Sequence, residues 1–181
     1  MRKLLFFLLL AGCCVFDTTF TGRSFLGVPY AESPLGEGVI PDTDPLIRFD
    51  AFDCTTFVET VLADGRLDKL NQIRYKNGQI GFLNRNHFVE TDWLPNNSNL
   101  LENVSGHYDC AKIRRVYIDK SAWFKIVHNM DVVVPAQWVD LEYVPYEYVR
   151  DVVIDAPMVV LFIADNPKNR DKIGTDIAVV H

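Results

Sequence analysis

The chain has 181 residues, of which 49% are hydrophobic and 12% aromatic, so it can bury a core and is not an intrinsically disordered protein. Its formal charge is −6, from 18 basic and 24 acidic residues, which argues against nucleic acid as a partner. No apolar run reaches the roughly 18 residues that a membrane-spanning helix needs.

The first residues have the pattern of an export signal. A short basic start precedes an apolar stretch from Leu4 to Leu10, and the LAGC sequence ending at Cys13 is similar to the lipobox of bacterial lipoproteins. We therefore predict a lipoprotein signal over residues 1–12, acylation of Cys13 and a tether over residues 13–24. The protein would then be exported to the periplasm and anchored by lipid to the outer membrane. An ordinary signal peptide, cleaved before Thr18, is the alternative.

The folded domain, predicted over residues 25–181, has its helices first. The segment DCTTFVETVLADG predicts an amphipathic helix with Asp53 as its N-cap and Gly65 as its stop signal. Its apolar stripe consists of Phe57, Val58, Val61 and Leu62. A second helix is expected over residues 66–75, followed by a polar, loop-rich stretch over residues 76–105.

Strands rich in Val and Ile follow the helices, separated by Pro, Asn or Gly. The five candidates are Arg114–Ile118, Asp131–Val134, Val149–Ile154, Met158–Ala164 and Asp176–Val180. Helices followed by strands favour an α+β fold over a doubly wound sheet.

Cys54 lies in the first turn of the first predicted helix, where the positive end of the helix favours a thiolate. A cysteine nucleophile needs a base, and the chain offers His87, His107, His128 and His181. A helix-borne cysteine with a strand-borne histidine far downstream is the order of papain-like enzymes, so His181 is the expected base. His107 and His128 lie in polar stretches and are expected at the surface. For any of these histidines, a structural hydrogen-bonding role is the alternative.

The remaining cysteines suggest no metal site. No closely spaced His/Cys set predicts structural zinc. Cys14 and Cys110 could pair in an exported protein, although their proximity cannot be read from sequence.

Four segments together resemble one family of bacterial cell-wall amidases: GVPY, DCTTFVE, IRYKNGQIGFLNRNHFVETDW and KIGTDIAVVH. This is the N-acetylmuramoyl-L-alanine amidase-like branch of the papain-like NlpC-type hydrolases. The resemblance implies an α+β papain-like (NlpC-type) fold, with a catalytic cysteine at a helix N-terminus packed on an antiparallel sheet. It also implies cofactor-free hydrolysis, through a thioester, of the bond between N-acetylmuramic acid and L-alanine in peptidoglycan fragments, particularly anhydro-muropeptides. A monomer is expected.

By the same resemblance, Cys54 is the nucleophile, His181 the base and Tyr30 a donor to the developing oxyanion. Asp53 and Thr55 would orient the substrate, with capping and packing as the alternative.

Arg85, His87, Asp92 and Trp93 match a further family motif and are candidate substrate-binding residues. Arg85 could bind a substrate carboxylate, and a sugar ring could stack on Trp93. The alternative is a structured loop built around a buried Arg–Asp pair.

In this family, further strands and a residue that orients the histidine follow the position of His181. We therefore expect a domain truncated at its C-terminus, with an unpaired sheet edge and weakened catalysis. Two other functions stay open: a muropeptide-binding lipoprotein without activity, and an endopeptidase that cuts within the stem peptide.

Overall fold

The computed structural model describes residues 4–12, 20–154, 157–165, 169–175 and 177–179. They divide into a helical unit within residues 14–100 and a sheet unit that combines residues 1–13 with residues 101–181. The predicted domain of residues 25–181 contributes to both units. Cys54 belongs to the helical unit, and the antiparallel sheet belongs to the other.

Over residues 20–100, the helical unit contains three α-helices: α1 (Cys54–Leu62), α2 (Leu67–Arg74) and the short α3 (Leu94–Asn96). A π-helical turn, Val89–Trp93, leads directly into α3. The two long helices confirm the two predicted from sequence. The stretch predicted to be loop-rich contains the π-helical turn, α3 and two single 3-10 turns, Lys76–Gly78 and Phe82–Asn84.

Helix α1 ends where its sequence predicts. Gly65 adopts φ +67° and its backbone N–H donates to the carbonyl of Thr60 at 3.0 Å, which completes the last turn. The most buried face of α1 differs from the predicted one, however. The apolar stripe is only half-buried, whereas Thr56, Glu59 and Thr60 are buried. A polar face can be buried here because other side chains of the unit bind Glu59.

Stacked phenylalanines hold the start of the helical unit together. The Phe20 ring lies 5.4 Å from that of Phe25 and 5.9 Å from that of Phe49, nearly parallel to both. The backbone N–H of Phe20 also donates to Asp64 Oδ1 at 2.8 Å. Phe20, inside the segment interpreted as a tether, is therefore already part of the packed helical unit.

The described strands of the sheet unit form one antiparallel sheet in the order β3-β4-β1-β5-β6, with β2 paired to β1. The strands are β1 (Leu4–Gly12), β2 (Leu101–Asn103), β3 (Lys112–Ile118), β4 (Gln137–Pro145), β5 (Met158–Asp165) and β6 (Ile177–Val179). Helix α4 (Lys120–His128) follows β3, and α5 (Asn169–Ile173) precedes β6. Buried Val104 and Val144 form the centre of one apolar cluster.

The segment interpreted as a signal peptide is the central strand of this sheet. Residues Phe6 to Ala11 of β1 pair with β5, while Phe6 and Phe7 pair with β4 on the other side. Cleavage of residues 1–12 in the cell stays a prediction, and Cys13 and Cys14 lie outside the described residues.

Three of the five predicted strands are confirmed, as β3, β5 and β6, although Asp176 and Val180 of the last prediction lie outside the described residues. Two are wrong: residues 131–134 are not a strand, and residues 149–154 include the end of a 3-10 turn, Tyr146–Asp151. Val133 is 97% exposed and Pro135 follows it closely, and both features disfavour a strand with a buried face in this apolar run. Within the described ranges, no helix is long and apolar enough to cross a membrane.

Candidate active site

Helix α1 begins with a reciprocal pair of hydrogen bonds between Asp53 and Thr56. Asp53 Oδ1 accepts from the Thr56 backbone N–H and from the Thr56 hydroxyl, both at 2.7 Å. The hydroxyl oxygen in turn accepts from the Asp53 backbone N–H at 3.0 Å. Asp53 is therefore the N-cap, as predicted, and Cys54 is the first residue of the helix.

The Cys54 thiol is half-buried, and its Sγ lies 3.7 Å from Oγ1 of Thr55. Burial raises the pKa of this thiol above its usual value of 9.0; the negative charge of Asp53 raises it further, and the hydrogen bond with Thr55 opposes both. The position of Cys54 at the helix start predicted a lowered thiol pKa, but burial and the neighbouring Asp53 carboxylate raise the pKa by more than the helix end lowers it. A proton acceptor is therefore needed to form the thiolate at neutral pH.

Tyr30 lies beside the start of α1 because its flanking residues pair with Phe52. The backbone N–H of Ala31 donates to the Phe52 carbonyl at 3.0 Å, and the Phe52 N–H donates to the Pro29 carbonyl at 3.2 Å. Loss of hydration raises the pKa of the Tyr30 phenol, and the charges of Asp53 and Cys54 add to the shift. Tyr30 is 64% exposed and its phenol is protonated at neutral pH, so it can donate a hydrogen bond to a bound ligand.

A buried ion pair fixes α1 against the rest of the helical unit. Glu59, only 2% exposed, accepts from Arg74 Nη1 at 3.0 Å through one carboxylate oxygen and from the Trp93 indole N–H at 2.9 Å through the other. Arg74 also donates to the Leu35 carbonyl at 2.6 Å. Burial raises the pKa of Glu59, and the charge of Arg74 opposes that shift.

Arg85 binds two carboxylates of its own chain. Its Nε and Nη2 donate to the two Glu37 oxygens at 2.9 and 2.6 Å, and Nη2 also donates to Asp42 Oδ2 at 2.7 Å. The guanidinium further lies 5.0 Å from the centre of the Phe82 ring. Arg85 therefore holds the loop that contains Glu37 and Asp42. The network ties Arg85 to a loop other than its own, and the predicted binding of a substrate carboxylate by Arg85 stays a prediction.

The other residues of this motif make contacts of the same kind. His87 Nε2 lies 2.7 Å from the Phe82 carbonyl oxygen, and Asp92 Oδ2 accepts from the Phe88 backbone N–H at 3.2 Å. Trp93 is 5% exposed, so no face of its indole is open for a sugar ring to stack on. His87 thus contacts the turn at Phe82, and Asp92 closes the start of the π-helical turn that ends at Trp93.

The structure thus brings Tyr30, Asp53, Cys54 and Thr55 together around the start of α1. His181 lies outside the described residues, and Cys110 is not in a disulfide. In the part of the chain that the structure describes, no group of three His, Cys, Asp or Glu side chains is placed to bind a metal ion.

Sequence reasoning missed the structural charges around the site, namely Glu37, Asp42, Glu59 and Arg74. Their partners lie 15 to 48 residues away along the chain, so no local spacing signals them. The sequence contained one signal of this network: Glu59 lies on the same face of the predicted helix as Thr56 and Thr60, which indicates a second, polar face.

Comparison with known proteins agrees with this architecture. The profile of the AmiA-like family, described as N-acetylmuramoyl-L-alanine amidase-like, matches residues 20–164. A Legionella pneumophila protein of known structure superposes with a TM-score of 0.70 at 22% identity, over 88% of this chain and 70% of that one. An N-acetylmuramoyl-L-alanine amidase from Bacteroides uniformis superposes with a TM-score of 0.59 at 21% identity, over 88% and 86% of the two chains.

At these identities the superpositions show a shared fold, and no curated protein matches the chain. The family profile covers most of the sequence, including Tyr30, Cys54 and the motif from Arg85 to Trp93. The chain therefore belongs to the AmiA-like, N-acetylmuramoyl-L-alanine amidase-like family.

Proposed function

We propose that this protein is a cysteine-dependent amidase that hydrolyses the bond between N-acetylmuramic acid and L-alanine in peptidoglycan fragments, anhydro-muropeptides in particular. The observation that carries the proposal is the capped helix start, which presents the Cys54 thiol beside the exposed phenol of Tyr30 in a chain of an amidase-like family. Thr55 and the Asp53 carboxylate border the same place and are the proposed substrate-orienting groups.

The proposed reaction begins when His181 takes the proton of Cys54. The raised pKa of the thiol makes that transfer necessary at neutral pH. The thiolate attacks the lactyl carbonyl, and the resulting oxyanion accepts hydrogen bonds from the Tyr30 phenol and the Cys54 backbone N–H. His181 then returns the proton to the L-alanine nitrogen, the C–N bond breaks and a thioester remains. Water attacks the thioester, releasing the lactyl carboxylic acid and restoring the thiol.

Arg85, His87, Asp92 and Trp93 take no direct part in this scheme. Their contacts within the chain support the loops around the site instead, so the proposal assigns substrate contacts to Tyr30, Asp53 and Thr55.

The test is incubation with a disaccharide-tetrapeptide that carries anhydro-muramic acid, with mass spectrometry of the products. Release of the intact tetrapeptide by the wild type, and its loss in Cys54→Ala, is the expected result. A shortened stem would indicate an endopeptidase instead. Binding without any product would indicate a muropeptide-binding protein, and undiminished hydrolysis by Cys54→Ala would exclude the cysteine mechanism.

We also propose that the protein works in the periplasm, as a monomer attached to the outer membrane through acylated Cys13. The support is the basic, apolar and lipobox-like succession of the first residues. Labelling of cells with a radioactive fatty acid should mark the wild type and leave Cys13→Ser unlabelled. Equal labelling of both would refute acylation at Cys13.

A further inference from the structure

The loop of residues 32–50 leaves and rejoins the helical unit beside Cys54. The two hydrogen bonds that join Ala31 and Pro29 to Phe52 also close the base of this loop, two residues before the nucleophile. Compact loops with adjoining ends often carry binding functions, because a rigid base positions whatever the loop displays. We call this segment the 32–50 loop.

The loop is folded back on itself by its own backbone. The N–H of Glu37 donates to the Asp42 carbonyl at 3.1 Å, and the N–H of Gly38 donates to the Asp44 carbonyl at 2.9 Å. The N–H of Gly36 donates to the Pro45 carbonyl at 3.1 Å. A Cβ on Gly36 would collide with the Asp42 side chain, so the turn requires glycine there.

Side chains from outside the loop fix it at several points. Arg74 donates to the Leu35 carbonyl at 2.6 Å and the Tyr75 hydroxyl donates to the Gly36 carbonyl at 3.2 Å. Arg85 binds Glu37 and Asp42, as described above. The loop is therefore already in its folded form before any ligand arrives, which lowers the entropy cost of binding.

The tip of this rigid loop is apolar and exposed. Val39 is 62% exposed, Ile40 is 88% exposed and Pro41 follows them. Two neighbouring aliphatic side chains on a preformed loop offer a contact surface for the apolar face of a ligand.

The loop carries a net negative charge. It contains one cation, Arg48, which pairs with Asp50 at 2.8 Å. Against that charge stand five carboxylates: Glu32, Glu37, Asp42, Asp44 and Asp50. Even with Arg85 bound, the loop stays acidic. A stem peptide carries several carboxylates and would be repelled, whereas the disaccharide of an anhydro-muropeptide is neutral.

We infer that the 32–50 loop binds the disaccharide part of the substrate, with Val39 and Ile40 against the apolar face of its N-acetylglucosamine ring. The inference rests on the proposed function, and it makes Ile40 a specificity-determining residue. Arg85 is then a positioning residue that acts through Glu37 and Asp42.

The test compares two substrates, an anhydro-disaccharide tetrapeptide and the same molecule without its N-acetylglucosamine. The ratio of their kcat/KM values measures recognition of the second sugar. Ile40→Ser should lower that ratio by about tenfold, as expected for loss of part of an isoleucine contact. Val133→Ser, which replaces an aliphatic residue that is 97% exposed in the sheet unit, should leave it unchanged. An unchanged ratio in Ile40→Ser would overturn the inference.

Binding to the Cys54→Ala variant, measured by calorimetry, separates this inference from the proposed function. If the wild type hydrolyses neither substrate, the amidase proposal fails. The inference then still requires that Cys54→Ala bind the disaccharide ligand more tightly, and that adding Ile40→Ser remove the difference. Equal affinity of Cys54→Ala for both ligands would refute it.

Discussion

Replacing Glu59 with glutamine tests whether the buried ion pair stabilises the helix that carries Cys54. The amide preserves the shape of the side chain and can still accept from Trp93, but Arg74 loses its buried counter-charge. Removing one partner of a buried ion pair costs about 3–5 kcal/mol. The burial that raises the pKa of Glu59 also means that the native carboxylate is poorly hydrated, so we expect the lower end of this range.

A loss of about 3 kcal/mol in the free energy of unfolding corresponds to a fall of roughly 6–12 °C in Tm for a protein of this size. Thermal unfolding followed by circular dichroism measures it, with Glu102→Gln, an exposed position on β2, as the matched control. Adding Arg74→Met to Glu59→Gln should restore part of the loss, because no unpaired charge then remains buried. A Tm for Glu59→Gln within about 2 °C of the wild type would refute this account of the network.

Three further predictions concern the start of α1 and its end. In His181→Ala, the alkylation rate of Cys54 by iodoacetamide should still rise with pH at pH 9, because burial and Asp53 raise the pKa of the thiol; a plateau below pH 7 would contradict this. Asp53→Asn keeps an N-cap but removes the charge, so it should lower the pKa of Cys54 and speed alkylation at pH 8, whereas Asp53→Ala should cost about 1 kcal/mol of unfolding free energy. No gain in alkylation with asparagine would show that the Asp53 charge does not act on the thiol. Gly65→Ala should cost roughly 2 kcal/mol in a denaturant titration, because φ is +67° and the new Cβ would lie 2.6 Å from the Phe20 ring; an unchanged midpoint would refute it.

The parts of the fold that sequence predicted are those set by local signals. Asp53 caps α1 and Gly65 ends it, as the pattern of neighbouring residues indicated. Helix α4 was not predicted, although Asp119 caps it, because its apolar residues are equally compatible with a strand in this strand-rich region. The sequence predicted a strand at the valine run of residues 131–134 instead of at β4. The pairing with β3 decides which segment joins the sheet, and that pairing cannot be predicted from local sequence.

The candidate site divides in the same way. Cys54 and Asp53 could be predicted from one helix start, and Tyr30 from the family resemblance. The direction in which the pKa of Cys54 shifts could not be predicted, because it depends on burial that only the folded chain creates. The burial of Trp93 against Glu59 could not be predicted either, because the two residues are 34 positions apart in the chain.

The predicted cleavage of residues 1–12 would remove β1, the central strand of the sheet. This strand pairs with β5 along most of its length and with β4 at Phe6 and Phe7, so a peptidase that removed residues 1–12 would leave backbone groups of β4 and β5 without partners in the middle of the sheet. The processed protein would have to close that gap, either by joining β4 to β5 or by accepting a strand from elsewhere. If residues 1–12 are the export signal predicted from the sequence, secretion and completion of the sheet are competing uses of one segment. The order of translocation and folding would then decide which form the cell obtains.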